Sequence, residues 1–133
     1  MFELSSYPST IFKSDKKPLG ERVVSEEHAD NMVTMLEAVV GPGGSAKKAA
    51  VPGYRVGGKT GTAKKAGIGG YSSDYIGSFA GIAPVSNPRI AVVVIINEPS
   101  GDYYYGGEVA APVFSAVSGA ALQLLNVAPD AND

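Results

Sequence analysis

Ile90-Ala91-Val92-Val93-Val94-Ile95-Ile96 is an unbroken apolar run in which every residue but Ala91 is branched at Cβ, and it restricts the fold more than any other stretch of the chain. Branched side chains lose rotamer freedom in a helix and pack well on a pleated surface, so the run reads as a strand. No polar residue alternates with the apolar ones, which is the pattern of a strand buried on both faces. Such a strand needs neighbours in a sheet and cover above and below it. The rest of the chain has to be read for what could supply them.

The preceding apolar segment, Tyr75 to Ala83, ends at Pro84, and Ser86-Asn87-Pro88 is a turn. So short a connection favours antiparallel pairing of the two strands. An earlier strand opens at Tyr54-Arg55-Val56 and runs through Lys59 to Ala63, with Lys64 to Ser73 as the loop between. Ser25 before Glu26 and Glu27 is a helix N-cap followed by acids in the first turn. Ala29, Met32, Val33, Leu36 and Val40 then recur with helical spacing, until Gly41-Pro42-Gly43-Gly44 ends the helix near Val40. Ser45 to Ala50 is read as one further helical turn. A last helix is expected from about Val109 to Asn126, with Val113, Val117, Ala120, Ala121 and Leu124 as its apolar stripe and Pro112 tolerated in its first turns.

The expected architecture is therefore α+β, a three-stranded antiparallel meander with packed helices. Residues 1–24 have no clear period and are read as an extended arm or loop. The Ile90–Ile96 strand comes last in the meander, and nothing in the chain is evident to pair its far edge. The expectation is that this edge, without a further part of the domain, self-associates or exchanges elements between copies.

Composition narrows the function. With 133 residues, 44% hydrophobic and 18% charged, the chain suits one small globular domain. A net charge of -2 without a basic run argues against nucleic acid as a partner. Cysteine is absent and His28 is the single histidine, so neither a thiolate site nor a His-rich metal cluster is expected, and no cofactor is called for. No stretch reaches the roughly 20 apolar residues that span a bilayer. Met1-Phe2-Glu3-Leu4-Ser5 does not read as a signal peptide.

Lys59-Thr60-Gly61-Thr62 is the segment with chemistry in it. Thr60 and Thr62 can donate hydrogen bonds to a carboxylate, and Lys59 supplies a positive field. Gly61 leaves room for a ligand backbone, and the strand's free edge can accept an extended peptide. Lys-Thr-Gly alone is a short motif, and an edge strand guarded by a lysine is an equally good account of it.

The surroundings are more specific. Val51-Pro52-Gly53-Tyr54-Arg55-Val56-Gly57-Gly58-Lys59-Thr60-Gly61-Thr62-Ala63-Lys64-Lys65 resembles the third active-site motif of penicillin-binding proteins. Phe79-Ala80-Gly81-Ile82-Ala83-Pro84, Pro88 to Val94, Tyr105-Gly106-Gly107 and Ala110-Ala111-Pro112-Val113-Phe114 follow in matching order. From about Arg22 to Asp130 the chain resembles the C-terminal part of the class B penicillin-binding protein transpeptidase domain, most of all its division-specific penicillin-binding protein 3 group. The resemblance implies a partial serine β-lactamase/transpeptidase-like fold, with residues 25–133 as the C-terminal portion of the domain. It implies acyl transfer in cell-wall synthesis, with a serine attacking the D-Ala-D-Ala bond of a peptidoglycan stem peptide and β-lactams acylating the same serine.

On that resemblance, the catalytic residues carried over are Lys59, for the site's potential and proton network, and Thr62, whose backbone N–H would be an oxyanion-hole donor. Thr60, Gly61 and Thr62 would be substrate-binding, and no metal is implied. The family's Ser-x-x-Lys and Ser-x-Asn motifs are expected upstream of the Lys-Thr-Gly strand. Ser14-Asp15-Lys16-Lys17 and Ser45-Ala46-Lys47-Lys48 match the first by letter only. Ser14 stands in the aperiodic arm, and Ser45 comes just ahead of the strand with no Ser-x-Asn between, so the nucleophile is taken to be absent.

The resemblance also places the parent protein on the periplasmic side of the bacterial cytoplasmic membrane, although no anchor is read in this chain. A non-catalytic module that binds peptide carboxylates is the alternative reading. His28, Lys64 and Lys65 are expected at the surface, and Tyr103-Tyr104-Tyr105 beside the cleft. Asp74, Asp102 and Glu108 receive no catalytic role.

Overall fold

The structure, a computed structural model, describes residues 22–67 and 69–131. All but the last three residues of the expected arm, and Ser14 with it, lie outside them. Helix α1 spans Glu26–Val40, strand β1 Gly57–Gly67, β2 Gly70–Ala83 and β3 Ile90–Asn97. Helix α2 (Gly106–Val109) and helix α3 (Ala111–Leu124) follow, and a single 3₁₀ turn, Lys47–Ala49, lies between α1 and β1. The three strands form one antiparallel sheet in the order β1-β2-β3, the expected meander.

Helix α1 begins and ends where its caps require. Ser25 accepts a hydrogen bond from the His28 amide, and the Gly41 amide donates to the Glu37 carbonyl. Of its expected stripe, Ala29 is buried and Val33, Leu36 and Val40 are half-buried, but Met32 is 53% exposed. The β1–β2 hairpin is longer than expected. Residues 64–67 and 70–73, read from the sequence as loop, are paired strand with a register shift between Lys64 and Ala66. Strand residues there are exposed on most sides, so they lack the apolar alternation that marks a strand. At the other end, Tyr54, Arg55 and Val56 precede β1 and are not part of it.

Pairing across the sheet sorts the side chains into two faces. Thr60, Phe79 and Val94 stand in one row, and Lys59, Ala80 and Val93 in the next, pointing the other way. The first face is covered by α3. Phe79 and Phe114 meet there edge to face at 4.8 Å, and Phe79, Phe114 and Leu122 are fully buried. A Cβ at Gly81 would stand 2.8 Å from the Phe114 ring, so glycine is what lets the ring lie on the sheet. Each such side chain contributes about 1.5–3 kcal/mol by leaving water.

Two expectations are corrected here. The β3 run is not buried on both faces: Ile90, Val92, Val94 and Ile96 are half-buried against the core, while Val93 and Ile95 are 67% and 64% exposed. An apolar run reports what a strand could bury, not what covers it. On α3 the buried stripe is Ala111, Phe114, Ser118 and Leu122, whereas Val113, Val117 and Leu124 are exposed. Ser118 conceals that stripe in the sequence, because a serine is polar and mostly exposed, and here it is buried with no hydrogen-bond partner for its hydroxyl among the described residues. The larger Phe114 and Leu122 decide which side of the helix meets the sheet.

The tail after α3 returns to the start of β1. Tyr54 donates its phenolic proton to the Val127 carbonyl at 2.7 Å. Asp130 accepts from the Arg55 amide at 2.7 Å and from the Ser86 hydroxyl at 2.6 Å. Arg55 in turn forms a two-pronged contact with Glu37 on α1, both bonds 2.7 Å, and this pairing holds its guanidinium above the usual arginine range. The segment entering the site strand is therefore tied to α1, to the β2–β3 turn and to the tail.

Candidate functional site

β1 is an edge strand among the described residues, bonded to β2 alone. Alternation along it divides the Lys59-Thr60-Gly61-Thr62 segment. Thr60 and Thr62 point to the α2 side, and Lys59 and Gly61 to the other. The four residues do not converge on one point.

On the α2 side, the two threonine hydroxyls open onto a cavity of about 280 Å³ lined by Ser45, Thr60, Thr62, Tyr105 and Gly106 to Glu108. The Gly106 amide donates to Thr62 Oγ1 at 3.2 Å, and Ser45 Oγ lies 3.4 Å from Thr60 Oγ1. The approach of α2 depends on two glycines. A Cβ at Gly106 would fall 2.1 Å from the Ser78 carbonyl and 2.5 Å from that of Gly61, and one at Gly107 would fall 2.2 Å from the Ser45 carbonyl. Across the same rim, the Lys48 ammonium pairs with the Glu108 carboxylate.

On the opposite side, Lys59 is exposed, and its ammonium donates to the Thr60 carbonyl at 3.0 Å. It lies by a shallow apolar groove bounded by Leu36, Ala80, Ile82 and Val93. The space at Gly61 belongs to a neighbouring strand, because Ser78 Oγ would be 2.5 Å from a Cβ there.

Three tyrosines stack beyond the cavity. Tyr75 and Tyr104 lie with ring centroids 4.0 Å apart at 20°, and Tyr104 and Tyr105 are 4.4 Å apart. The Tyr104 and Tyr105 hydroxyls are 3.2 Å apart. Their shared hydrogen bond and the repulsion between two phenolates push the Tyr105 phenol above its usual range. Lys64 stands over the Tyr75 ring at 5.7 Å. Lys65 pairs with Glu98.

Of the remaining residues singled out in the sequence, all but Glu108 lie apart from the cavity. His28 is exposed at the start of α1, its Nδ1 2.7 Å from Ser25 Oγ. Asp74 and Asp102 are exposed. Glu108 is in the cavity wall. Among the described residues, no three His, Cys, Asp or Glu side chains are grouped to hold a metal ion, and no helix is long and apolar enough to cross a membrane.

Sequence reading missed Ser45 as a wall residue, having considered it only as a nucleophile. It also missed Gly106 and Gly107 as the means of docking α2, although paired glycines before a helix are a signal of close backbone approach.

Residues 3–119 match the family described as penicillin binding protein transpeptidase domain. The peptidoglycan D,D-transpeptidase of Escherichia coli K12 is 50% identical over 125 residues, which are 93% of this chain and 21% of that protein. A probable peptidoglycan D,D-transpeptidase of Neisseria meningitidis is 40% identical over 92% of this chain and 21% of its own length. Among solved structures, the transpeptidase domain of penicillin-binding protein 3 from Burkholderia pseudomallei superposes with a TM-score of 0.81 at 49% identity, covering 91% of this chain and 37% of that one. The chain thus spans about a fifth of the length of these curated relatives.

Proposed function

The chain belongs to the penicillin-binding protein transpeptidase domain family, and from that premise we propose that it is the carboxylate-binding part of a peptidoglycan D,D-transpeptidase that cross-links stem peptides during bacterial cell division. The observation that carries this is the pair of hydroxyls, Thr60 and Thr62, side by side in one cavity on an edge strand. A peptide ending in D-Ala-D-Ala presents a carboxylate and an extended backbone, which suit two hydroxyl donors and a strand edge.

In this reading Thr60 and Thr62 hold the terminal carboxylate and the Thr62 amide serves the oxyanion. Lys59 acts from the other face of the strand through its positive charge. The serine nucleophile lies outside this chain. Ser45 reaches the cavity, but the lysine three residues on, Lys48, is engaged by Glu108, and among the described residues the hydrogen-bond neighbour of Ser45 Oγ is the Thr60 hydroxyl, which is not a base. β-Lactams would enter the same site in the complete domain. The work of the complete protein would be done on the periplasmic side of the cytoplasmic membrane.

A fluorescent penicillin tests the assignment. The isolated chain is expected to bind it without covalent labelling. A label that survives denaturation and disappears in Ser45→Ala would overturn the absence of a nucleophile. We also infer that the far edge of β3, with the exposed Val93 and Ile95 beside it, is covered in the complete protein and drives association of the isolated chain. A monodisperse monomer in light scattering, with all β3 amides protected from exchange, would refute that.

A further inference from the structure

Thr60 and Thr62 share a feature that their place in the motif does not explain: each hydroxyl oxygen has a polar neighbour supplied by another residue of the cavity wall. The Gly106 amide donates to Thr62 Oγ1. An amide can only donate, so the proton of the Thr62 hydroxyl must point elsewhere. Thr60 Oγ1 has Ser45 Oγ at 3.4 Å. We propose that Ser45 is a positioning residue of the carboxylate site: its hydroxyl donates to Thr60 Oγ1 and leaves the Thr60 proton to be given to the ligand.

This rests on the carboxylate-binding reading above and adds to it a residue that the threonine strand does not contain. A threonine hydroxyl has one proton and can accept as well as donate. Left alone, it spends its proton on water or on a nearby carbonyl. Occupying its oxygen with an incoming hydrogen bond fixes the direction of that proton, which is what an anion needs. The 3.4 Å separation is looser than a formed hydroxyl pair, and it closes as the anion draws the Thr60 proton toward itself.

The chain around Ser45 is built to hold it there. Ala46 is fully buried and its amide donates to the Val39 carbonyl at 3.0 Å. Gly107 packs so closely on the Ser45 carbonyl that no Cβ fits between them. Lys48 crosses to Glu108 on α2, which both fastens the turn and neutralises the one carboxylate that the described residues place in the cavity wall. Among the described residues, an incoming anion therefore meets no uncompensated carboxylate in the cavity wall.

The test uses the isotope-labelled full chain and two probes, N-acetyl-D-alanyl-D-alanine and the same peptide with a C-terminal amide, titrated while the Thr60, Thr62 and Gly106 resonances are followed. The unmodified chain should prefer the carboxylate peptide. Ser45→Ala should weaken that peptide about fivefold and leave the amide peptide unchanged, the effect of one lost hydrogen bond. Ser45→Thr, which keeps the hydroxyl, should restore most of the loss, with thermal unfolding unaltered in both variants. A carboxylate preference untouched by Ser45→Ala, or not restored by Ser45→Thr, would overturn the role of Ser45 alone. No preference in the unmodified chain would overturn the carboxylate site itself, and this inference with it.

Discussion

The two faces of the sheet carry similar apolar side chains and differ in what lies over them. On one, Phe79 packs with Phe114 and Leu122, and all three are out of water. On the other, Lys59, Ala80, Val93 and Ile95 are exposed, and among the described residues α1 comes over it at the end where a Cβ at Gly57 would meet Leu36 at 3.2 Å. The covered face holds the fold together and fixes α2 and the threonine hydroxyls. The open face carries the motif's lysine and contributes little to the stability of this chain. A single strand thus serves a finished surface with one set of side chains and an unfinished one with the other.

The sharpest way to break this contrast is Phe114→Ala. It removes the ring that fills the covered side and should cost about 3–5 kcal/mol, read by chemical denaturation. A loss near that of a surface substitution would mean that the covered face is not the core. Gly106→Ala comes next, since its new methyl would meet two carbonyl oxygens. Displacing α2 should cost about 1–3 kcal/mol and abolish the carboxylate preference in peptide titration. Retained binding would show that α2 does not organise the threonines.

Asp130→Ala should have a smaller effect, about 1 kcal/mol, because its partners at Arg55 and Ser86 can turn to water. Faster amide exchange at Tyr54 and Arg55 should accompany it, and unchanged exchange there would refute the tail as a tether for β1. Val93→Lys on the open face should change stability by no more than about 0.5 kcal/mol. It should nevertheless reduce association in light scattering. A large destabilisation would mean that the open face is covered within one copy of this chain.

Local order was legible where a residue's chemistry acts on its own backbone. Ser25 and Gly41 bound α1 because a hydroxyl satisfies a free amide at one end and the glycine amide closes the last turn at the other. The β-branched run is β3 to within a residue, since crowding at Cβ is felt by any chain that contains it. The outer parts of the β1–β2 hairpin were not legible, because exposed paired strand needs only backbone hydrogen bonds and leaves no apolar pattern. The stripe on α3 was misread for a related reason, with Val113 and Val117 as apolar as the residues beneath the helix.

The candidate site divides in the same manner. Lys59, Thr60, Gly61 and Thr62 are adjacent in the chain, so their types and order could be read directly. Ser45, Gly106 and Tyr105 join them from separate segments, and only packing brings them to one cavity.

The sequence by itself determined the caps of α1, the three strands and their order, and a family motif whose residues carry carboxylate-binding chemistry. The tertiary structure alone decided that the lysine and the threonines of that motif serve opposite faces, which side of each apolar segment is buried, and which distant hydroxyl stands beside Thr60. The physical reason is that propensity and capping act within a few residues, whereas burial and the direction of a hydroxyl proton depend on neighbours supplied from far along the chain.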